Sequence, residues 1–389
     1  MHDRYRLDTR LVHAGEPSPR IGGAVSAPIF QTSTYETGDE SRYEDVRYHR
    51  LNNSPNHHIL AGKLASAEGA DNAVVTSSGM AAIASALLSC LSAGDHVLVQ
   101  RGLYGGTWAF LTEDLAALNI THTVIDGAAP ETWAAALQTN TRVLYMEAIT
   151  NPLIAIGELA AAADFAGSNG LVSIIDATFA SPVNLRPVSL GFDLVVHSAT
   201  KYLNGHSDLV AGAIAGGAEP MARVLKTLSH YGGCLSPHGC FLLYRSLKTL
   251  GLRVRAANRG AAAMAAVLAE HPAVSRVAYP GLPDDPSHER AKRWFSGFGG
   301  MLAFELRGGT SAARQLIDQL ELPIFAPSLG GTETLITVPA LTTHLGISAA
   351  DRAAQGISDG LTRISAGIED PADLCEDLKA GLDTLVMKT

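Results

Sequence analysis

Seven short apolar runs recur along the middle of the chain: AVVT (73–76), HVLVQ (96–100), HTVI (122–125), VLYME (143–147), LVSIID (171–176), LVVHSA (194–199) and AGAIAG (211–216). Most are apolar at successive positions rather than alternate ones. Alternation leaves one strand face polar, whereas continuous runs mark strands covered on both faces, as in a parallel sheet. Between them lie Ala- and Leu-rich stretches such as AAIASALLSCLSAG and PETWAAALQTN, which read as helices. The alternation predicts an α/β doubly wound domain over residues 61–255. Residues 1–60 are rich in Pro, Gly, Ser, Tyr and Arg, lack clear periodicity, and read as an extended arm. The stretch SLKTLGLRVRAANRGAAAMAAVLAEH reads as a long linking helix. After it, VSRVAYPG, GGMLAFELRGG, LPIFAPSLGG and TRISAGIED predict a smaller α+β domain over 256–389.

Composition narrows the function classes. With 389 residues and 47% hydrophobic content, the chain can bury a large core shared by two domains. The net charge is −9 and there is no basic run, which argues against nucleic acid or an anionic membrane surface as partner. The opening MHDRYRLDTRLVHAGEPSPR lacks the apolar core of a signal peptide. No uninterrupted apolar stretch of about 18 residues predicts a membrane span. Four scattered cysteines, Cys90, Cys234, Cys240 and Cys375, fit a reduced cytoplasmic compartment. Cys234 and Cys240 lie near His230 and His238, but the spacing matches no common zinc pattern, so no metal is expected.

The residues just beyond the strand ends carry the chemistry, because open α/β sheets bind ligands there. AVVT is followed by SSGMAAIASALL, where Ser77 or Ser78 can cap a helix and Gly79 admits a ligand close to the backbone. The free N–H groups of that first turn form an anion site. HVLVQ leads to RGLYGGT, where Tyr104 can offer a ring face or simply sit in a surface loop. VLYMEA leads to ITNP, where Asn151 offers an amide or a plain turn. LVSII ends in Asp176, which needs a cation or hydrogen-bond donors if buried; a turn cap involving Thr178 is the alternative. LVVHSAT ends in Lys201, a hydrated charge that ordinarily belongs on a polar surface. Anion site, aromatic face, acid and amine at one sheet edge together match pyridoxal 5′-phosphate. The helix N-terminus takes its phosphate, the aspartate its pyridinium nitrogen, and the lysine its aldehyde as a Schiff base. Ser198 and Thr200 can donate to the same phosphate.

The stretch SATKYLNGHSDLVAG, together with VHAGEPSPRIGGAVSAPIFQTSTY and TRISAGIEDPADLCEDL, resembles the Cys/Met-metabolism (trans-sulfuration) family of pyridoxal-phosphate enzymes over nearly the whole chain. The resemblance implies fold type I, aspartate-aminotransferase-like, with a mainly parallel seven-stranded sheet in the large domain. It implies Lys201 as the Schiff-base lysine and Asp176 as the partner of the ring nitrogen. It assigns Ser78, Gly79, Met80, Ser198, Thr200 and Thr178 to the cofactor, and Tyr104 to its ring. Asn151 and Arg363 resemble the pair that holds the substrate α-carboxylate, with Ser328 beside them. On residues alone, Arg363 could equally pair with Glu369 or Asp370 at the surface. Tyr48 and Arg50, in RYHRLNNSPNH, resemble arm residues that reach a neighbouring subunit's phosphate, with Tyr48 also near the substrate. A homotetramer built from catalytic dimers is thereby implied, acting on a small amino-acid substrate.

For the reaction, the resemblance implies γ-elimination from γ-substituted, homoserine- or homocysteine-derived amino acids, releasing a 2-oxo acid and ammonia. Lys201 moves the protons and Tyr104 serves the leaving group. The alternatives are γ-replacement, using an O-activated homoserine and a thiol, and a catalytically silent PLP-binding regulator. Four positions depart from the family pattern. Ser54 is inserted between Asn53 and Pro55. Gly106 stands where many methionine γ-lyases carry cysteine. Ala177 stands where asparagine is common. Pro327 stands where many cystathionine-processing enzymes carry glutamate, which removes a partner for cystathionine's distal ammonium.

Overall fold

The computed structural model describes residues 4–41, 43–342, 352 and 356–386. All seven apolar runs form strands: β1 (Asn72–Thr76), β2 (His96–Gln100), β3 (Thr121–Ile125), β4 (Thr141–Glu147), β5 (Val172–Asp176), β6 (Leu194–His197) and β7 (Gly212–Gly216). They make one sheet in the order β1-β7-β6-β5-β4-β2-β3. The pairs from β3 through β6 are parallel, and β7 runs antiparallel to both β1 and β6. Successive side chains along one strand enter different cores. Leu98, Leu144, Ile175 and Val195 pack on one face, whereas Val97, Val143, Ile174 and Val196 pack on the other. Burial on both faces is what the unbroken apolar runs required.

Local chemistry sets the helix starts. The helix Gly79–Leu88 is capped by Ser78, whose side chain accepts the Ala81 N–H at 3.0 Å. Ser54 caps the helix Pro55–Glu68, with Pro55 in its first turn and Gly69 turning left-handed at its end. The residue inserted relative to the family pattern is therefore a helix cap, and its hydroxyl also bonds the His57 ring at 2.8 Å. This helix begins inside the stretch that reads as arm, which also contains the short helix Leu7–His13. The stretch 130–140 reads as a helix but winds only a 3₁₀ segment, Pro130–Ala136. There Trp133 is fully buried, with its indole N–H on the Asp126 carbonyl at 2.7 Å, and that anchor sets the local path.

A second, five-stranded sheet follows: β8 (Val274–Ala278), β9 (Met301–Leu306), β10 (Ile324–Phe325), β11 (Leu335–Thr337) and β12 (Leu361–Ser365), in the order β10-β11-β12-β9-β8. It is antiparallel apart from β10 beside β11. Its inner face packs on the C-terminal helix Pro371–Val386 and on the long helix Leu250–Glu270. The long helix serves both cores: Val254 and Ala257 belong to the large one, and Ala261, Met264 and Leu268 to the small one. The change of core thus falls within the helix, a few residues past 255. Among the described residues no helix is long and apolar enough to cross a membrane.

Candidate active site

The carboxyl ends of β1, β4, β5 and β6 meet a wall from the second sheet around a cavity of about 400 Å³. Ser78, Gly79 and Met80 enter it from the capped helix, Asp176 and Thr178 from the end of β5, and Ser198, Thr200 and Lys201 from the turn after β6. Tyr104 and Asn151 come from the loops after β2 and β4, and Ser328 and Arg363 from the second domain. Twelve of the fourteen residues singled out in the sequence thus share one site. Tyr48 and Arg50 do not line it.

The phosphate end has the form of a cradle. The N–H groups of Gly79 and Met80, at the first turn, have no acceptor within their helix. A Cβ at Gly79 would sit 2.7 Å from Ser198 Cβ and 2.9 Å from its Oγ, so only glycine lets the helix start meet Ser198 this closely. Thr200 Oγ1 donates to the Ala211 carbonyl at 3.1 Å and accepts the Ala211 N–H at 3.0 Å, which locks the turn that presents Lys201.

Asp176 is fixed by its own turn. Thr178 N–H donates to Asp176 Oδ1 at 2.8 Å, and Thr178 Oγ1 accepts the Ser198 N–H, also at 2.8 Å. The turn cap and the acid are therefore the same residue doing both jobs. Burial pushes the Asp176 carboxyl upward, opposed by the Thr178 hydroxyl and N–H and by His197 nearby. A cationic ring nitrogen would relieve that cost, so the site fits a pyridinium partner.

Lys201 Nζ donates to Ser328 Oγ at 2.7 Å, across the interface of the two sheets. Burial, and then the Arg363 charge, lower its ammonium to about 8. Ser328 adopts φ 115°, a region that non-glycine residues avoid. In that conformation its hydroxyl serves Lys201 while its carbonyl accepts from Arg363 at 3.0 Å. Arg363 is 2% exposed, which rules out the surface salt bridge. Glu369 instead accepts from Thr334. Arg363 donates to Asn151 Oδ1 at 2.6 Å, and its Nε is buried without a partner. Burial lowers the guanidinium to about 10. A buried guanidinium held by neutral acceptors, with an unused N–H, fits an incoming carboxylate.

Glu147 also lines the cavity and was missed in the sequence, where it closes VLYME as an apparent strand residue. The signal was available: like Asp176, it is a carboxylate at the end of a doubly buried strand. Pro327 lines the cavity and a second chamber of about 580 Å³, which adds Ile324, Asp208 and Glu333. Tyr48 is 39% exposed. Arg50 bonds the Ser229 carbonyl, in the last turn of the helix Ala218–Tyr231, at 2.5 Å and the Tyr43 hydroxyl at 2.9 Å.

Helix cradle, strand-end acid, buried amine and carboxylate clamp at the edge of a mainly parallel sheet define a pyridoxal-phosphate enzyme. The chain belongs to the family of Cys/Met metabolism PLP-dependent enzymes, which it matches over residues 8–383. It is 40% identical to the L-methionine gamma-lyase of Porphyromonas gingivalis, covering 98% of each chain. It is also 40% identical to the cystathionine gamma-lyase of Bacillus subtilis, covering 97% of this chain and 99% of that one. The crystal structure of a cystathionine gamma synthase from Xanthomonas oryzae pv. oryzae, in complex with aminoacrylate and cysteine, superposes with a TM-score of 0.94 at 37% identity, over 99% of this chain and all of the other. The protein is a pyridoxal-phosphate-dependent lyase of the trans-sulfuration family, and pyridoxal 5′-phosphate is its cofactor.

Proposed function

We propose that the protein catalyses γ-elimination from γ-substituted amino acids derived from homoserine or homocysteine, with one water consumed and the γ-substituent, a 2-oxo acid and ammonia released. Gly79, Met80, Ser198 and Thr200 would hold the phosphate of the cofactor, with Ser78 and Thr178 shaping their turns. Asp176 would pair with its ring nitrogen, Lys201 with its aldehyde, and Tyr104 with its ring. When bound, pyridoxal phosphate supplies an electron sink for the electrons released at the substrate Cα.

The residues of the chain do the rest. Arg363 and Asn151 orient the α-carboxylate. Lys201, whose ammonium is held at about 8, has a free-base fraction near neutral pH and can take the α-proton. γ-Departure also needs a proton from Cβ, which the same amine can move. The Tyr104 hydroxyl is the donor for the leaving group. The observation that carries this reading is the Lys201 amine, buried and hydrogen-bonded to Ser328 within the cavity that also holds Asp176 and Arg363.

A second reading, γ-replacement by a thiol, draws on the outer chamber that shares Pro327, Ser328 and Leu329 with the inner cavity, where a second substrate has room. One experiment separates the two. Purified protein is offered cystathionine, methionine, homocysteine, cysteine and O-substituted homoserines, with and without a thiol. 2-Oxo acid release that the thiol does not suppress supports elimination. A thioether product at its expense supports replacement, and release from none of these substrates refutes both.

The arm residues support a further part of the proposal. Tyr48 is exposed and Arg50 half-buried beside it, and together they would complete a neighbouring subunit's phosphate site. The functional unit would be a dimer with shared sites, assembled in pairs as a homotetramer in the cytoplasm. Residues 1–60 then act as an arm to the neighbouring subunit, 61–255 as the cofactor domain and 256–389 as the domain that closes the substrate side.

A further inference from the structure

The cavity contains one carboxyl group that the reaction does not use. Glu147 ends β4, directly across from Asp176 at the end of β5. It is 3% exposed. Burial first, and the Asp176 charge second, push its carboxyl well above the ordinary range. Two acids side by side in a dry site cost stability, so packing does not account for them.

What Glu147 holds does account for it. Its Oε1 accepts the Tyr104 backbone N–H at 2.6 Å. Tyr104 stands at the head of the short helix Gly105–Ala109, which has no side-chain cap of its own. The backbone amide of Asn151 faces the same carboxyl group. Asn151 in turn receives Arg363 at 2.6 Å, and Arg363 reaches the Ser328 carbonyl, whose own hydroxyl receives Lys201. The Glu147 main chain is itself pinned, with its N–H on Gln100 Oε1 at 2.9 Å.

We propose that Glu147 is a positioning residue whose carboxyl ties the Tyr104 loop to the Asn151–Arg363 clamp, so that the ring-covering tyrosine and the carboxylate-binding pair keep a fixed separation. The inference rests on the site reading given above. Displacement of a positioned group by about 1 Å can cost roughly a hundredfold in rate, so such a tie has kinetic weight. The Tyr104 N–H uses a single carboxyl oxygen of Glu147 as its acceptor. Glutamine reproduces that oxygen. Aspartate, one methylene shorter, withdraws it, and leucine removes it.

The test uses Glu147→Leu, Glu147→Asp and Glu147→Gln, each with cofactor content verified. Amide hydrogen exchange is followed over residues 104–109 and 148–153, in loaded and cofactor-free protein, alongside kcat, KM and the visible circular dichroism of the bound cofactor. Leucine and aspartate should speed exchange in both segments, raise KM about tenfold or more and alter the dichroism. Glutamine should recover most of what leucine loses in all three. If the leucine protein fails to fold, aspartate carries the test alone. Wild-type exchange and KM in the leucine or aspartate protein would overturn the proposal, as would a glutamine protein as impaired as the leucine one. Failure of the site reading looks different: wild-type protein would then release no 2-oxo acid, while the exchange arm would still report on Glu147.

Discussion

The floor of the cavity and the arm at residues 48–50 are built on opposite plans. Asp176 and Lys201 follow adjacent strands, and hydrogen bonds from Thr178 and to Ser328 aim them. Tyr48 and Arg50 do not line the cavity; the Tyr48 N–H is held by Asn53, and Arg50 by Tyr43 and the Ser229 carbonyl. A sheet edge places its residues by backbone register and needs no partner. An arm without a sheet to register against takes its functional position from whatever it docks on, which in the proposed reading is a second copy.

The sharpest way to break this contrast is at the floor. Lys201→Ala should reduce turnover by at least about 10⁴-fold, because base and covalent anchor are lost together. Borohydride should fix cofactor to wild-type protein at Lys201 and not to the variant; labelling of another lysine would end the assignment. Asp176→Ala should slow α-proton removal by about 10²–10³-fold through lost electrostatic support. Unchanged α-deuterium exchange would contradict that role.

The floor also has a pH signature. The unprotonated Lys201 amine is the form that reacts, and its ammonium sits at about 8. Covalent uptake of cofactor by the apoprotein should therefore rise about tenfold per pH unit below that value and level off above it. Stopped-flow absorbance from pH 6 to 9 checks this, and a flat profile would count against it.

The arm should respond more mildly and in a different way. Tyr48→Ala and Arg50→Ala should each weaken cofactor binding about tenfold, roughly 1.4 kcal/mol. Mixing either variant with Lys201→Ala should restore part of the activity, since a mixed dimer can join an intact arm to an intact lysine. Subunits that exchange yet restore nothing would show the arm to be private to its own chain. The smallest effect belongs to the far wall. Pro327→Glu should raise kcat/KM for cystathionine relative to a neutral-tailed homoserine derivative by only a few-fold, as a solvated ion pair contributes about 0–1 kcal/mol. No change in that ratio would remove Pro327 from the specificity argument.

What the sequence made legible follows the same division. Continuous apolar runs announced the seven strands, because burial on both faces leaves no other residue choice. The direction of β7 was hidden, since a Gly/Ala run such as AGAIAG suits either orientation. Asp176 and Lys201 stood out because each follows a strand into small and hydroxylic residues. Glu147 ends its strand as Asp176 does, so its place at the sheet edge was legible, but its bond to the Tyr104 N–H, 43 residues away, is one that no local pattern records. Ser54 looked like a departure in the arm and proved to be a helix cap. The 3₁₀ path at 130–136 was set by one buried tryptophan against an apparently helical composition.

The long helix Leu250–Glu270 belongs to both cores, with the change between Ala257 and Ala261. It therefore works as a keyed shaft between the two halves of the cleft. Each helical residue turns the shaft by about 100°, so inserting one residue near 259 would rotate everything beyond it by that angle. Arg363 lies beyond the insertion and Asn151 before it, so their 2.6 Å contact would be lost while both sheets kept their own packing. The phase of a helix that contributes no residue to the cavity lining thus acts as a combination lock on the substrate clamp.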